Sequence, residues 1–252
     1  GARPADLPIG TYWGDQPGTA GPTYLGAAVV FLAVLGLFVL RGSRKWWLLA
    51  VSLLALFLSW GSNMMWFTEL CFKILPGYNK FRAVSMALVI PQLAMPVLAL
   101  LAAWQILKPR PGLNAAAGVS FAGQTALGSS AGADPKLQQA LLRALYVTGG
   151  LLALAFLAAL MADMVGPADA SMQKQGFPVA AIRDDRAAMA RGDVFRSLFF
   201  VAATFGVLFY FLKNKLQAVT AGLAISALLL VDLWTVDKRY VNAADFHRAF
   251  GC

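Results

Sequence analysis

The chain carries its apolar residues in blocks of about 20, separated by short polar turns. A helix needs roughly 20 apolar residues to cross the hydrocarbon core of a bilayer, whereas the strands of an outer-membrane barrel alternate over about 10 residues. Hydrophobic residues make up 59% and charged residues 13% of the 252-residue chain, against roughly 45–50% and 25% in a soluble domain. We therefore predict an all-α, polytopic integral membrane protein.

The apolar blocks predict about six transmembrane helices and one short interfacial helix. The interfacial helix is expected at 64–75, because this segment is too short to span and mixes aromatic residues with Glu69 and Lys73. Asp134 and Pro135 fit the N-cap and the first position of a helix. The predicted spans cover residues 23–40, 46–60, 83–107, 141–161, 194–212 and 216–234.

The spans and the polar stretches between them divide the chain into five segments. Residues 163–192 are expected to form a further polar loop. The chain starts without Met or a signal segment, so we expect a processed product or a piece of a longer protein. The segments are an extracytoplasmic loop at 1–22, a three-span unit at 23–107, a flexible Ala/Gly/Ser-rich cytoplasmic loop at 108–139, a second three-span unit at 140–234 and an extracytoplasmic tail at 235–252.

The net charge of +9 is explained by the membrane rather than by nucleic acid. The cations flank the apolar blocks, where they interact with anionic headgroups and set the orientation of the helices. The compact turns 41–45 and 213–215 carry most of their charge as Lys and Arg, which favours the cytoplasmic side for both. Both ends of the chain then face outward, and we expect no nucleic-acid partner.

The turn PGYNKFRAVS at 76–85 is the first candidate for a ligand site. Lys80 and Arg82 lie there at the entrance to the third span, on the side predicted to face outward. Long cationic side chains at a membrane face often serve only as anchors that set the depth of a helix. The sequence leaves both interpretations open.

The third span contains two prolines, Pro91 and Pro96, with Gln92 between them. Proline lacks a backbone N–H, so we expect a bend and carbonyl groups left available to a partner, although such bends also serve helix packing alone. Asp163 and Asp232 lie near span ends, where we expect them to reach water.

Other site chemistries find little support in the sequence. The single histidine, His247, lies in the polar tail, and no phosphate-binding or dinucleotide-binding glycine motif is present. Cys71 and Cys252 are far apart and lack metal-site spacing, so we assign no metal and no cofactor. A disulfide between these two cysteines stays open, because sequence does not fix its geometry.

Five motifs are distributed along the chain: YWGDQP at 12–17, LSWGSN at 58–63, PGYNKFRAVSM at 76–86, VDLW at 231–234 and DKRY at 237–240. Taken together, they resemble the YfhO-type bacterial membrane proteins, and the resemblance extends over nearly the whole chain. That family is placed among the GT-C polytopic glycosyltransferases, which take a sugar from a polyprenyl-phosphate donor on the outer face of the membrane.

The resemblance implies a multi-pass protein of the bacterial inner membrane whose partners are membrane lipid and a polyprenyl-phosphate-linked sugar. Lys80 and Arg82 would then bind the donor phosphate, with Arg suited to a forked contact, and Tyr78 and Asn79 would add neutral hydrogen bonds. Asp15 is suited to sugar hydroxyls or a divalent metal ion, although a turn role is commoner for Asp beside Gly. The family's acidic catalytic residue is expected upstream, so no residue here is assigned as the catalytic base.

Three functions are therefore carried forward. The first is the membrane portion of a glycosyltransferase that acts on cell-envelope acceptors. The second is a lipid or small-molecule transporter, which the bent third span and its Gln92 would suit. The third is a non-catalytic scaffold for envelope assembly. Whether this chain is itself an enzyme is left undecided by its residues.

Overall fold

The computed structural model describes residues 24–74, 84–108, 135–166, 169–174, 176 and 178–240. Within these ranges the chain is all-helical and contains no strand, as the length of the apolar blocks predicts. Short 3-10 turns precede two of the helices, at Gly61–Met64 and Val84–Leu88. The helices are α1 (Ala27–Val39), α2 (Arg44–Ser59), α3 (Met65–Ile74), α4 (Val89–Leu107), α5 (Pro135–Met161), α6 (Asp169–Lys174), α7 (Val179–Leu212) and α8 (Ala218–Tyr240).

Four helices in the described ranges are long and apolar enough to cross a membrane. Their mean hydropathy over 18 residues lies between 1.8 and 2.1, and fewer than a third of the residues in these windows are buried, as expected for helices that face lipid. Two of them match predicted spans closely, and the other two extend further than predicted. The four segments are Met86–Leu107, Pro135–Met161, Val179–Leu212 and Ala218–Lys238.

The first two predicted spans correspond to shorter helices. The block 23–40 forms α1, with 13 residues, and the block 46–60 forms α2, with 16 residues. Both are below the roughly 20 residues that a perpendicular crossing requires. The structure therefore supports a membrane protein with four candidate spans, and of the two shorter helices α1 is apolar as well.

The region expected to be a polar loop at 163–192 is largely helical. Residues 169–174 form α6, and α7 begins at Val179 rather than at the apolar boundary near Val194. The sequence there is rich in alanine and in charged residues that favour helix, and Ile182 and Arg186 lie one turn apart on a buried face. Apolar content marks where a helix can meet lipid, but it does not mark where the helix begins.

The described residues belong to two compact units, which divide α5 and α7 between them. The bundle unit comprises 22–148 and 200–252, and the loop unit comprises 1–21 and 149–199. In the loop unit the end of α5 meets the middle of α7 through an edge-to-face contact between Phe156 and Phe195, with ring centroids 5.6 Å apart.

The bundle unit is built around α1, which is buried on nearly all sides and packs most extensively on α4. Gly36 makes this close approach possible: a Cβ at this position would lie 3.2 Å from the carbonyl oxygen of Leu98 and 3.3 Å from the Cβ of Ala102. Small residues allow membrane helices to approach in this way. α2 packs on α4 and on the 3-10 turn that precedes it, and α8 contacts both α1 and α4.

Candidate functional site

The ligand-site residues predicted from the sequence lie outside the described residues. They comprise the predicted phosphate contacts Lys80 and Arg82, their neighbours Tyr78 and Asn79, and the loop carboxylate Asp15. Their roles stay predictions. The helix predicted at 64–75 is present as α3, and Cys71 on this helix is buried with a free thiol.

A groove between α1, α4 and α8 is a candidate binding site in the described part of the bundle unit. It has a volume of about 770 Å³ and is lined almost entirely by apolar side chains. This volume falls within the usual range of ligand sites, roughly 300–1,000 Å³. Its walls include Val29 and Leu32 of α1, Gln92, Pro96, Ala99, Ala103, Trp104 and Leu107 of α4, and Gly222, Ile225, Ser226, Leu229 and Leu233 of α8.

The groove runs along the length of α4. Its lining residues extend from Gln92 to Lys108, which is roughly 24 Å at 1.5 Å per residue. At the Lys108 end, a Cβ on Gly222 would lie 3.8 Å from Leu107, so the start of α8 lies beside the end of α4. Tyr24 and Leu233 lie with Gln92 toward the opposite end. The site is therefore elongated along α4, a shape that suits a hydrocarbon chain.

A buried carboxylate at the start of α1 borders the groove. The hydroxyl of Tyr24 donates a hydrogen bond to Oδ1 of Asp232 at 2.7 Å, and the Ala28 N–H approaches Oδ2 at 3.4 Å. The Ala27 N–H donates to the Tyr24 oxygen at 3.1 Å. These contacts satisfy N–H groups that the first turn of a helix leaves unpaired, and a carboxylate is also favoured at a helix N-terminus.

Asp232 is completely buried, whereas Asp163 is exposed. The expectation that both would reach water is therefore wrong for Asp232, and for Asp163 it stays a prediction. The reason is tertiary: α8 packs against the start of α1, and Gly26, with φ of 88°, lets the chain pass close to the carboxylate. No pattern within α8 indicates this partner.

A second buried ionic cluster lies in the loop unit. Asp169 accepts hydrogen bonds from Nη1 of Arg186 at 2.8 Å and from Nε of Arg183 at 2.9 Å. Arg186 also donates to the carbonyl oxygen of Met164 at 3.0 Å, and its side chain is only 1% exposed. Gly166 lies so close that a Cβ there would come within 2.9 Å of the guanidinium. We call these five residues the Asp169 cluster.

The Asp169 cluster controls the ionisation of its carboxyl group. Burial raises the pKa of Asp169, but hydrogen bonds from Arg186, the Gly166 backbone and Arg183 outweigh it, so the pKa lies below the ordinary 3.8. Two guanidinium groups of α7 bind one carboxylate of α6, and Arg186 also bonds the backbone before α6. The cluster therefore holds α7 against the segment that precedes it.

Acidification should therefore weaken the loop unit only at low pH. Because the folded pKa of Asp169 is depressed, its stabilisation is complete above 3.8 and is lost as the pH falls through the folded pKa. We expect a melting temperature that responds to this carboxylate only below about pH 4. Asp169→Asn should remove this component of the acid response, whereas exposed Asp185→Asn should retain it; identical acid responses of the two variants would contradict the assignment.

Metal chemistry has no support in the described part of the chain. No group of three or more His, Cys, Asp or Glu side chains is placed there to hold an ion. Asp15, His247 and Cys252 lie outside the described residues, so the metal and disulfide alternatives that involve them stay predictions.

Comparison with known proteins adds no family to these observations: no protein-family model, no curated protein and no solved structure matches the chain. The functional argument therefore rests on the groove, the two buried clusters and the sequence.

Proposed function

We propose that this chain is the membrane portion of a glycosyltransferase that uses a polyprenyl-phosphate-linked sugar, and that the groove holds the polyprenyl chain of that donor. The single observation that carries the proposal is the long apolar groove between α1, α4 and α8. The sequence resemblance to the YfhO-type family supplies the chemistry of the transfer. Six spans, an outward-facing PGYNKFRAVS turn and an inner-membrane location belong to the same proposal.

The shape and chemistry of the groove favour an isoprenoid or acyl chain over a compact solute. Its walls offer mainly Leu, Ile, Val and Ala side chains, which make van der Waals contacts with an apolar chain. A site of roughly 24 Å could take several isoprene units in an extended form. A polar sugar or an ion alone would gain little from these walls.

The donor phosphate is assigned to Lys80 and Arg82 on chemical grounds. Arg82 precedes Gln92 by ten residues in the sequence, and Gln92 lines one end of the groove. In this proposal the chain enters the groove at the Gln92 end while the phosphate remains at the outer interface. Arg82→Lys should then weaken the donor more than it weakens a neutral lipid, because Lys keeps the charge but loses the forked contact.

Filling the groove provides the direct test. Ala103 is half-buried on the groove wall, and Ala103→Phe should occupy part of the space and lower the affinity for a polyprenyl-phosphate-linked sugar by about tenfold or more. The matched control is Ala227→Phe, which lies on an exposed position of α8 outside the groove. Affinity is measured by native mass spectrometry in phosphatidylcholine nanodiscs, and sugar transfer is measured in membranes that contain the same variants.

The position of the polyprenyl chain in the groove is tested independently by crosslinking. A donor analogue with a photoreactive group at the end of its polyprenyl chain should crosslink chiefly to α1, α4 and α8. Crosslinks spread over every lipid-exposed helix, together with equal affinities of Ala103→Phe and Ala227→Phe, would exclude the groove as the donor site. If Ala103→Phe loses affinity for the donor while sugar transfer is unchanged, the groove binds lipid but does not serve a transferase.

A lipid transporter is the second candidate, favoured by the fully buried Asp232 on a membrane-spanning helix. Buried acids in such helices commonly mark substrate or proton pathways. A transporter would move a fluorescent polyprenyl lipid between leaflets of a vesicle, and Asp232→Asn would abolish that movement. A transferase would convert the lipid without requiring its translocation.

A further inference from the structure

The packing of the bundle unit brings the ends of α1 and α4 to the start of α8. Gly36, near the end of α1, packs on the second half of α4, and Gly222, near the start of α8, lies beside Leu107 at the end of α4. Asp232, further along α8, instead reaches the N–H of Ala28 at the start of α1. α8 therefore runs opposite to α1 and α4, and three turns of the chain meet at one end of the bundle.

These three turns carry cations and no acid. The segments 40–47, 104–108 and 209–217 border this end of the bundle and contain no Asp or Glu. The ammonium group of Lys45 donates a hydrogen bond to the carbonyl oxygen of Leu37, which holds the first turn against the end of α1. We call the six basic residues of these turns the cationic end: Arg41, Arg44, Lys45, Lys108, Lys213 and Lys215.

The described acids of the bundle unit lie elsewhere. Asp232 borders the start of α1, and Asp237 follows it on α8, away from the cationic end. Glu69 lies on α3, which follows the far end of α2. The cationic end therefore presents charge of a single sign.

Aromatic rings lie beside the cations on the bundle side. Trp104 is exposed one helical turn before Lys108. Three ammonium groups lie at cation–π distances from ring centroids: Lys213 at 4.5 Å from Phe209, Lys45 at 5.5 Å from Trp46 and Lys215 at 5.9 Å from Tyr210. Aromatic rings with cations just beyond them are typical of the level where hydrocarbon meets lipid headgroups. This pattern puts the cationic end at the depth of lipid phosphates.

We propose that the cationic end is a binding surface for anionic phospholipid, which it selects over zwitterionic phospholipid. The guanidinium groups of Arg41 and Arg44 contact phosphate oxygens, and the lysines add point charges. Complementary charge carries the inference, because each basic residue near an anionic leaflet strengthens attachment to it. An acidic soluble partner would have no need of aromatic rings at this depth. The inference does not depend on the groove or on what occupies it.

Two double variants remove charge from the cationic end. The first combines Arg41→Gln with Arg44→Gln, and the second combines Lys213→Gln with Lys215→Gln. All four side chains are exposed, so we expect both variants to fold, which is checked from their monodispersity and melting temperature. If a double variant is not monodisperse, the single variants Arg41→Gln and Lys213→Gln take its place.

The matched control combines Lys73→Gln with Lys238→Gln and removes the same amount of charge. Both lysines are exposed in the bundle unit and lie outside the cationic end. Each has an exposed acid within one helical turn, Glu69 for Lys73 and Asp237 for Lys238. Neither lysine therefore belongs to a surface of single-sign charge.

Lipid selection is measured by native mass spectrometry on the full chain in nanodiscs of phosphatidylglycerol mixed with phosphatidylcholine. The lipids that remain bound to the chain are counted, and we expect the unmodified chain to retain phosphatidylglycerol preferentially. Each double variant of the cationic end should lower this preference by about tenfold, and each single variant by about threefold. The control should change it by less than about twofold.

Three outcomes would overturn the proposal. The unmodified chain could show no preference for phosphatidylglycerol, or the control could lose as much preference as the variants of the cationic end. The third outcome is an acidic soluble partner, tested with polyglutamate in detergent. If the variants of the cationic end lose polyglutamate binding but retain phosphatidylglycerol as the unmodified chain does, the surface serves an acidic partner and not a lipid.

Discussion

Asp169→Asn is expected to destabilise the loop unit by about 3 kcal/mol, because it leaves the guanidinium of Arg186 buried without a carboxylate. At about 3 °C per kcal/mol for a chain of this size, the melting temperature in detergent should fall by about 9 °C. Arg186 is 2% exposed and its Nε has no hydrogen-bond partner among the described residues, so water cannot readily replace the lost charge.

The matched control for Asp169→Asn is Asp185→Asn, since Asp185 is exposed on α7 one residue before Arg186. That change should alter the melting temperature by less than about 2 °C. The double variant Asp169→Leu, Arg186→Met should recover part of the loss, because replacing a whole buried ion pair costs less than breaking it. Amide hydrogen exchange should quicken in 149–199 in the single variant. If Asp169→Asn and Asp185→Asn behave alike, the Asp169 cluster does not stabilise the unit.

Asp232→Leu is expected to lower the free energy of unfolding of the bundle unit by about 3 kcal/mol. It removes the acceptor for the Tyr24 hydroxyl and the Ala28 N–H, and leaving a buried donor unpaired costs about 1–3 kcal/mol for each group. Favourable burial of the new leucine offsets a part of this. Amide exchange at the start of α1 should increase together with the fall in melting temperature, because that turn loses its cap.

Asp237→Leu on the same helix is the control for Asp232→Leu, since Asp237 is exposed. Asp232→Asn keeps one acceptor oxygen, so its melting temperature should lie between those of Asp232→Leu and Asp237→Leu. Tyr24→Phe should reproduce a part of the Asp232→Leu effect, because it deletes one of the two bonds to Asp232 and the acceptor for the Ala27 N–H. Equal stability of Asp232→Leu and Asp237→Leu would show that the carboxylate does not hold the start of α1.

The helical class and several helix positions followed from local sequence. The helix predicted from Asp134 and Pro135 begins at Pro135, and the Lys213–Lys215 region separates α7 from α8, as its polar residues indicate. These features depend on apolar length, capping chemistry and turn composition, which act over a few residues. The early start of α7 was missed, because its first 15 residues are too polar to resemble a membrane span although they favour helix.

The candidate site was only partly accessible to sequence reasoning. The place of Pro96 inside a long apolar helix could be predicted, because the apolar block around it is long enough to form one. The groove could not, since it exists only where α1, α4 and α8 pack together. The predicted cationic site at Lys80 and Arg82 lies outside the described residues and stays a prediction.

The sequence by itself determined that the chain is helical and suited to a membrane. The tertiary structure alone decided which polar groups are buried together. Tyr24 and Asp232 are 208 residues apart, and Arg186 and Asp169 are 17 apart with a helix start between them. Apolar periodicity records the preference of each residue for lipid or water, whereas an ion pair or a groove depends on the relative placement of whole helices.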